Sequence, residues 1–337
     1  MKLDSVRELK SSLRQSVVEP LSPEGPGRRS LAVAAQPMSH LRGACRSVAL
    51  GIARKGRRNF QLAVRVQRPE LIDSEEVRTI VRQAKGEADV RYVGRLIKRM
   101  PPAPPVPWNW KRKRPLTIGT SIGHHMITAG TLGCFVTRRT GGEMLVLSNN
   151  HVLANENRAA VDDAILQPGA FDGGRVNKDT IGRLVKFTRL KVRGTNLVDC
   201  ALASIDEGIR INVNLLTGLD VLAGTGPDFL SPGAKVFKVG RTTDLTRGYV
   251  TAFELDNVVV GFDIGDLTFD NQIEIEGSGD SPFSAGGDSG SLIVDGGYRG
   301  VGLLFAGGDQ GGSNGRGLTY ANPLNAVLDA LKVDLAF

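Results

Sequence analysis

The stretch GGDSGSLIV, residues 286–294, decides how the chain is interpreted, because it sets a serine between glycines directly before an apolar run. Glycines on both sides of Ser289 allow the backbone to turn sharply and to bring its N–H groups towards one point. In that conformation the N–H groups of Gly287 and Ser289 would form an oxyanion hole, which binds the negative charge that develops on a carbonyl oxygen. A Gly-Asp-Ser-Gly run can equally be an ordinary β-turn. The stretch therefore needs partners elsewhere in the sequence.

Two further stretches supply what a serine nucleophile needs: a base that takes its proton and a third group that fixes the base. In LVLSNNHVLAN, residues 145–155, an apolar strand runs into His151. In LVDCALASI, residues 197–205, Asp199 interrupts an apolar strand, where an unpaired charge is costly. A histidine at a strand end is often structural, and backbone N–H groups could satisfy the aspartate instead. Together the three stretches predict His151, Asp199 and Ser289 as a catalytic triad.

The sequence from residue 116 onward predicts a β protein. Short apolar or alternating runs, such as TLGCFVT and SLIVD, are bounded by Gly, Asp and Asn, and no long helix separates them. This pattern is typical of a sandwich or a barrel. The chain closes with a predicted helix that has Asn322 as its N-cap and Pro323 in its first turn.

The order of the three groups, with His and Asp in one half and Ser in the other, resembles the trypsin/chymotrypsin family. SNNHVLA, VDCALASI and SAGGDSGSLIVD match the histidine, aspartate and nucleophile motifs of that family. Asn150 replaces a residue that is usually small, and Ser291 replaces a glycine of many members. The resemblance covers roughly residues 117–337. It implies a mainly β, chymotrypsin-like fold, in which two six-stranded β-barrels meet at a cleft holding the triad and a helix ends the chain.

Two C-terminal stretches, GYRGVGLLFAGG and GLTYANPLNAVL, are similar to bacterial Deg/HtrA-type peptidases, although the sequence contains no PDZ-like segment. The whole chain looks closer still to bacterial trypsin-like proteins and to the plant narrow-leaf type. In these, a small domain precedes phrases such as SIGHHMITAGTLGCFV. The resemblance implies a serine endopeptidase that acts on proteins or peptides through an acyl-enzyme, without cofactor or metal. It also implies a cytoplasmic location and allows a homo-oligomer.

The same match implies a primary substrate pocket beside the nucleophile. Its residues would be Phe283, Ser284, Ala285, Phe305, Ala306 and Gly307. Phenylalanine stands at the floor position, where an acid would select Arg or Lys, so cleavage after small or medium apolar residues is expected. The alternative is that Asp280 or Asp309 reaches the pocket from a neighbouring loop. Secreted trypsin-like zymogens use the aspartate directly before the nucleophile to bind a newly cut N-terminus, and Asp288 stands at the matching place in this sequence. Here Asp288 is expected to be satisfied within the intact chain.

Smaller units are expected before residue 117. An amphipathic helix over residues 3–17 is predicted to dock on a neighbouring domain rather than on a membrane. A β-α-β pattern follows, in which Asp73 and Glu76 form a capping box. Prolines and a KRKR run then mark a spacer whose two tryptophans are expected to pin it against a domain. The expected boundaries are 1–46 for the helix and linker, 47–99 for a small α+β domain, 100–116 for the Pro-rich basic linker and 117–337 for the protease-like domain.

Charge is distributed unevenly. Residues 1–116 hold 25 Lys/Arg against 10 Asp/Glu, and the rest of the chain holds 18 against 25. The basic part could contact nucleic acid or an acidic membrane, form an ordinary solvated face, or pack on the acidic part of the same molecule. The cysteines are too few and too scattered for a disulfide framework or a zinc site. The sequence has neither a signal-peptide core nor a membrane-spanning run, which predicts a cytoplasmic protein.

An alternative function stays open at this point. A catalytically silent binding protein or scaffold could use the same fold, with the basic N-terminal part as an adaptor for nucleic acid or membrane. An intact set of Ser, His and Asp favours the enzyme, because a scaffold has no need to keep all three. The Gly-rich run GGDQGGSNGRG contains no GKS or GKT, which excludes a P-loop NTPase.

Overall fold

The computed structural model describes residues 1–18, 48–56, 59–96, 107–227 and 230–337. Most of the linker predicted within residues 1–46, together with Cys45, lies outside the described residues, as do residues 100–106 of the Pro-rich spacer. No helix in the described part of the chain is long and apolar enough to cross a membrane.

The described residues up to 96 include two α-helices and three strands, which are α1 Leu3–Leu13, β1 Val48–Arg54, β2 Phe60–Val66, α2 Glu75–Gln83 and β3 Ala88–Tyr92. A π-helical turn over Arg14–Val18 continues α1, and a 3-10 turn over Pro69–Leu71 precedes α2. Helix α1 buries Val6 and Leu13 in one apolar cluster with residues of β1 and β2, such as Ile52 and Leu62. The amphipathic helix predicted over residues 3–17 is therefore confirmed, and so is its docking on a neighbouring part of the protein.

The predicted β-α-β pattern is also confirmed. Strands β2 and β3 are parallel, with Val64 opposite Val90, and α2 connects them. The predicted capping box is wrong in detail, because Ser74 and not Asp73 caps α2. The Ser74 side chain accepts a hydrogen bond from the backbone N–H of Val77. A serine hydroxyl satisfies such a free N–H group as well as a carboxylate does, so the two neighbouring candidates could not be separated from sequence.

The remaining strands belong to two larger sheets and two small ones. Those up to residue 225 are β4 Leu116–Thr117, β5 Ser121–His124, β6 Gly130–Thr131, β7 Cys134–Arg138, β8 Met144–Ser148, β9 Ala164–Leu166, β10 Thr180–Phe187, β11 Thr195–Asn196, β12 Ala201–Ala203, β13 Ile211–Asn212 and β14 Gly224–Thr225. Those after it are β15 Lys235–Gly240, β16 Asp244–Asp256, β17 Val258–Phe262, β18 Gly265–Phe269, β19 Gln272–Gly277, β20 Leu292–Asp295, β21 Arg299–Gly307, β22 Leu318–Pro323 and β23 Val333–Leu335. The later helices are α3 Asn150–Leu153, α4 Val176–Asp179 and α5 Leu324–Leu331.

The two larger sheets form two barrel-like units. In the second unit the order β15-β20-β21-β22-β19-β16, with β16 also paired to β15, closes a ring of six strands. The first unit follows the order β23-β7-β8-β12-β10-β9-β5-β6 and forms a half-barrel. Helix α5 follows β22 of the closed barrel and leads to β23, which pairs with β7 of the first unit. The predicted fold class, a mainly β chymotrypsin-like double barrel with a C-terminal helix, is confirmed.

Strands β1–β3 extend the sheet of the closed barrel, because β1 pairs with the distal half of β16. A buried ion pair links the same two parts of the chain. Arg65 on β2 donates hydrogen bonds of 2.7 and 2.8 Å to the two carboxylate oxygens of Glu274 on β19, and neither side chain is more than 1% exposed. Tyr320 and Thr251 also donate to this carboxylate. Burial raises the pKa of Glu274, but the charge and hydrogen bonds of Arg65 outweigh it and lower that pKa below its usual value.

The start of the C-terminal helix differs from the prediction. Asn322 does not cap α5; Pro323 occupies the cap position and makes no side-chain cap bond. The Asn322 amide oxygen instead accepts a hydrogen bond of 2.9 Å from the backbone N–H of Asp199. The buried asparagine therefore connects the closed barrel to the first unit at one of the predicted site residues.

We expect Glu274→Gln to lower the free energy of unfolding by about 3 kcal/mol, because it leaves the buried Arg65 guanidinium with Asp89 as its one remaining carboxylate partner. Urea unfolding at neutral pH measures this change. Glu75→Gln is the matched control, since it breaks an ion pair with Arg82 whose side chains are about 70% exposed. The control should unfold like the wild-type protein, and equal behaviour of the two variants would contradict the prediction.

Candidate active site

The three predicted triad residues lie where the two barrels meet. Strand β8 ends at Ser148 and turns into the short helix α3, which carries His151. Asp199 precedes β12 in the same unit, and Ser289 stands in the turn before β20 of the closed barrel. Both His151 and Ser289 line one cavity of about 280 Å³.

His151 and Asp199 form a direct pair. The imidazole Nδ1 lies 2.5 Å from Asp199 Oδ2, and the backbone N–H of His151 donates to Asp199 Oδ1 at 3.2 Å. Asp199 is fully buried, and the Asn149 amide donates to its carbonyl oxygen at 2.7 Å. A carboxylate in this position fixes a proton on Nδ1 and leaves Nε2 as the basic nitrogen. The pair therefore presents a histidine that is oriented to take a proton.

Asp163, another acid of the first unit, pairs with a different histidine. Asp163 Oδ2 lies 3.0 Å from His124 Nε2 and also accepts a hydrogen bond from the Ala160 N–H group. That backbone hydrogen bond and His124 together lower the pKa of Asp163. Burial lowers the pKa of His124 despite the neighbouring carboxylate. Asp163 is therefore engaged away from His151.

Ser289 is 5% exposed and shares its cavity with the apolar side chains of Met126, Ile127 and Val152. Among the described residues, the structure shows no direct hydrogen bond between Ser289 Oγ and the His151 ring. Such catalytic hydrogen bonds are often long in proteins without substrate and shorten when the substrate is bound.

The turn around Ser289 leaves the backbone N–H groups of Gly286, Gly287 and Ser289 without an acceptor among the described residues. Gly287 has a φ of +93°, a left-handed conformation that favours glycine. By contrast, Gly290 donates to the Leu304 carbonyl and Ser291 to that of Asp288. Free N–H groups at low exposure are rare in folded proteins. Those of Gly287 and Ser289 are the donors predicted for the oxyanion hole.

The side chain of Asp288 holds this turn in place through hydrogen bonds to Thr242, Thr243 and Ala285. Its Oδ1 accepts from the N–H groups of Thr242 and Thr243, at 2.8 and 3.1 Å, and its Oδ2 accepts from Thr243 Oγ1 and the Ala285 N–H group. The ammonium of Lys238 lies 3.5 Å away, and both side chains are fully buried. Burial lowers the pKa of Lys238, and the negative charge of Asp288 only partly offsets this effect. The expectation that Asp288 is satisfied within the chain is confirmed.

Lys238 was missed in the sequence, although a signal existed. It interrupts the apolar strand AKVFKVG in the way that Asp199 interrupts its own strand, and a buried charge of that kind needs a partner of opposite sign. The side chain of Phe262 was missed as well. Its ring meets the His151 ring edge-on, with 5.7 Å between their centroids. Nothing in the local sequence of Phe262 indicates this contact.

The residues implied for the substrate pocket are largely buried beside the nucleophile loop. Phe283 packs in the apolar core of the closed barrel, and Ser284 shares a hydrogen bond of 2.7 Å with Thr319. Phe305 packs against Phe269, with 4.7 Å between ring centroids. None of the six residues implied for the pocket lines the cavity shared by His151 and Ser289. The six residues are Phe283, Ser284, Ala285, Phe305, Ala306 and Gly307.

The two described cysteines do not compete with Ser289 as nucleophiles. Cys134 and Cys200 are free thiols buried in the core of the first unit. Burial raises the pKa of both and brings that of Cys200 to about 12. A thiol must ionise to attack, so neither is reactive at neutral pH.

Comparison with known proteins finds similarity in structure. No family model matches the chain, and no curated protein matches its sequence. The chain is similar to Thermobifida fusca Protease A, with 16% identity over 66% of this chain and 98% of that one and a TM-score of 0.45. It is also similar to a glutamic acid-specific serine protease, with 20% identity, coverage of 66% and 100% and a TM-score of 0.47. The HtrA-type protease AlgW has 19% identity, coverage of 61% and 52% and a TM-score of 0.34.

The fold of the chain, a closed six-stranded barrel with a half-barrel and a C-terminal helix, is chymotrypsin-like. The solved structures similar to it include a serine protease and an HtrA-type protease. At these identities the likeness concerns the arrangement of the chain and not its chemistry, which depends on the site itself.

We expect Gly287→Ala to slow the labelling of Ser289 by a fluorophosphonate probe by about 100-fold, the effect of losing one oxyanion donor. A Cβ at this position would lie 2.5 Å from Thr242 Oγ1, and the left-handed backbone disfavours any side chain. The peptide bond must therefore rotate away. Gly279→Ala is the control, because Gly279 also has a positive φ but faces open space. Equal labelling of the two variants would show that the Gly287 N–H group takes no part.

Proposed function

We propose that this protein is a serine endopeptidase, with Ser289 as nucleophile, His151 as general base and Asp199 as the group that orients the imidazole. The observation that carries the proposal is the 2.5 Å contact between His151 Nδ1 and Asp199 Oδ2, in a histidine that lines the same cavity as Ser289. The two free N–H groups of Gly287 and Ser289 support it.

In the proposed reaction His151 Nε2 takes the proton of Ser289 as Oγ attacks the carbonyl carbon of the scissile peptide bond. The carbonyl oxygen becomes an oxyanion, and the Gly287 and Ser289 N–H groups stabilise it. The imidazolium then gives its proton to the departing amine, which leaves an acyl-enzyme on Ser289. A water molecule, deprotonated by His151, hydrolyses this ester and restores the serine. Asp199 stays ionised and stabilises the imidazolium in both steps.

The contacts of the N-terminal helix bear on the alternative of an adaptor for nucleic acid or acidic membrane. Three of its cationic side chains pair with acids of the closed barrel: Arg7 with Glu254, Lys10 with Asp256, and Arg14 with Asp256 and Asp270. Cations paired in this way are less available to phosphate groups. Internal packing, one of the options that the sequence left open, therefore describes this helix best. Contacts of the rest of residues 1–116 with nucleic acid or membrane, a homo-oligomer and a cytoplasmic location stay predictions.

The proposed specificity is for small or medium apolar residues before the scissile bond. The sequence match implies Phe283 at the floor position, where an acidic residue would select a cation, and Phe283 is buried. The nearby carboxylate of Glu276 is already engaged, since its Oε1 accepts from the backbone N–H groups of Ser313 and Asn314 and its Oε2 lies 3.4 Å from Arg91. A substrate cation would therefore lose water without gaining a counter-charge from Glu276, which costs several kcal/mol.

We expect Ser289→Ala and His151→Ala to lower kcat by around 10⁶-fold and Asp199→Asn by about 10⁴-fold, with the full-length, uncleaved protein as the active reference. Hydrolysis of a peptide substrate and fluorophosphonate labelling both measure this. Asp163→Asn is the matched control, because this acid pairs with His124 and should leave kcat unchanged. Labelling that persists in Ser289→Ala, or that appears only after cleavage of the chain, would contradict the proposal.

Digestion of a peptide library that varies the residue before the scissile bond should give cleavage mainly after Ala, Val or Leu. Mass spectrometry of the products identifies the bonds cut, and a Ser289→Ala preparation serves as the control for contaminating proteases. Dominant cleavage after Arg or Lys would mean that a carboxylate reaches the pocket and that the assignment of its floor is wrong.

A further inference from the structure

The segment that precedes the protease fold is bound tightly to it. Trp110 is buried and donates its indole N–H to the Arg241 carbonyl at 2.5 Å, and Asn109 donates to the neighbouring Gly240 carbonyl at 2.6 Å. Trp108, which is half-buried, donates to Asp244 at 3.1 Å. These contacts confirm that the tryptophans pin the segment to a domain. Trp110 contacts the turn between β15 and β16, at Arg241.

Arg241 is the residue that Trp110 covers. The guanidinium carbon lies 3.5 Å from the centroid of the Trp110 ring, and the group is fully buried. Its Nε donates to Asp172 Oδ2 at 2.8 Å, and its Nη2 donates to the other oxygen of the same carboxylate. A buried guanidinium is stable only with such partners, and a stacked aromatic ring restricts it to one plane. Trp110 and Asp172 thus fix Arg241 from two sides.

The chain from Arg241 onward holds each of the three residues that precede Ser289. The backbone N–H of Arg241 donates to Thr131 Oγ1, which in turn donates to the carbonyl of Gly287 at 2.9 Å. Thr242 Oγ1 donates to the carbonyl of Gly286 at 2.6 Å. The backbone N–H of Thr242 donates to Asp288, as described above. Because each peptide unit is planar and trans, the direction of the Gly286 carbonyl fixes the opposite direction of the Gly287 N–H group, and the Gly287 carbonyl fixes that of the Asp288 N–H group.

We infer that Trp110 and Arg241 are positioning residues for the oxyanion hole, so that the segment before the protease fold takes part in catalysis from outside the barrels. The inference rests on the proposed function. Trp110 fixes Arg241, and the backbone after Arg241 fixes the carbonyls of Gly286 and Gly287. The Gly287 N–H group, which shares a peptide plane with the Gly286 carbonyl, is then held in one direction before any substrate arrives, which is the preorganisation that stabilises an oxyanion.

The inference predicts a specific kinetic effect. Neither Trp110 nor Arg241 lines the cavity that contains His151 and Ser289. Loss of Trp110 should therefore weaken binding of the transition state and leave binding of the substrate nearly unchanged. A residue that served stability alone would alter the amount of folded enzyme but not the kcat of the folded fraction.

The test compares Trp110→Ala, Trp110→Phe and Trp108→Ala in the full-length chain. We expect Trp110→Ala to lower kcat at least 10-fold with KM changed less than 3-fold. Trp110→Phe keeps a ring over Arg241 but loses the indole N–H bond, so it should recover most of that loss while staying 2- to 5-fold below the wild type. Trp108→Ala removes the other tryptophan of the segment, which does not touch Arg241, and should match the wild type. Active-site titration with a fluorophosphonate corrects kcat for the folded fraction.

Wild-type kcat in both Trp110 variants would overturn the inference, and so would a loss in Trp108→Ala as large as that in Trp110→Ala. If Trp110→Ala does not fold, the comparison of Trp110→Phe with Trp108→Ala decides alone. A failure of the proposed function gives a different result from a failure of this inference. In that case the fluorophosphonate does not label Ser289 even in the wild-type protein. If the wild-type protein is labelled and the Trp110 variants keep its kcat, the positioning role is wrong and the proposed function is unaffected.

Discussion

The site depends on one constraint, namely that its two halves come from different barrels and must be held in a single relative position. Two hydrogen bonds across the interface meet this constraint. The Asn322 amide oxygen accepts from the N–H of Asp199, and the N–H of Thr131 donates to the carbonyl of Ser289 at 2.8 Å. Each bond engages the backbone of a site residue directly. A shift of one barrel against the other would therefore break a buried hydrogen bond before it changed the site.

The closeness of the two barrels also limits which residues fit between them. A Cβ at Gly133 would lie 2.3 Å from the carbonyl oxygen of Gly290, so the two backbones touch without an intervening side chain. This contact lies one residue from Ser289 on one side and two from Thr131 on the other. The same short region thus sets the separation of the barrels and the position of the nucleophile.

The sequence indicates those features that are local in the chain. The glycines around Ser289 predict a sharp turn, and the apolar strands that lead to His151 and surround Asp199 predict their places in the fold. Apart from the pairing of His151 with Asp199, which the motifs together predicted, the long-range contacts could not be predicted, because they join residues far apart. Asn322 illustrates the difficulty, since an asparagine before a proline and an apolar stripe fits a helix cap as well as it fits a bond to a buried N–H group. The pairing of Arg65 with Glu274 could not be predicted for the same reason, because the two charges lie in strands 209 residues apart and neither strand indicates its partner.

The distribution of charge shows a similar limit. A basic N-terminal part and an acidic remainder are visible in the composition. Composition does not reveal that Arg7 faces Glu254 or that Arg14 faces Asp270, and only the docked helix reveals that the two surpluses partly cancel within one molecule. Net charge along a sequence therefore describes the surface only after the packing of its segments is known.

Strand β16 has a length that matters for how the protein can be divided. Its first half, up to Tyr249, pairs with β15, and β1 covers the side of its second half from Ala252 to Asp256. A chain cut down to the residues that carry the trypsin-like motifs would leave that second half with an open row of N–H and C=O groups. Unpaired strand edges recruit other strands and promote aggregation. The N-terminal strands therefore cover an edge of the closed barrel that the part of the chain defined by the motifs would leave unpaired.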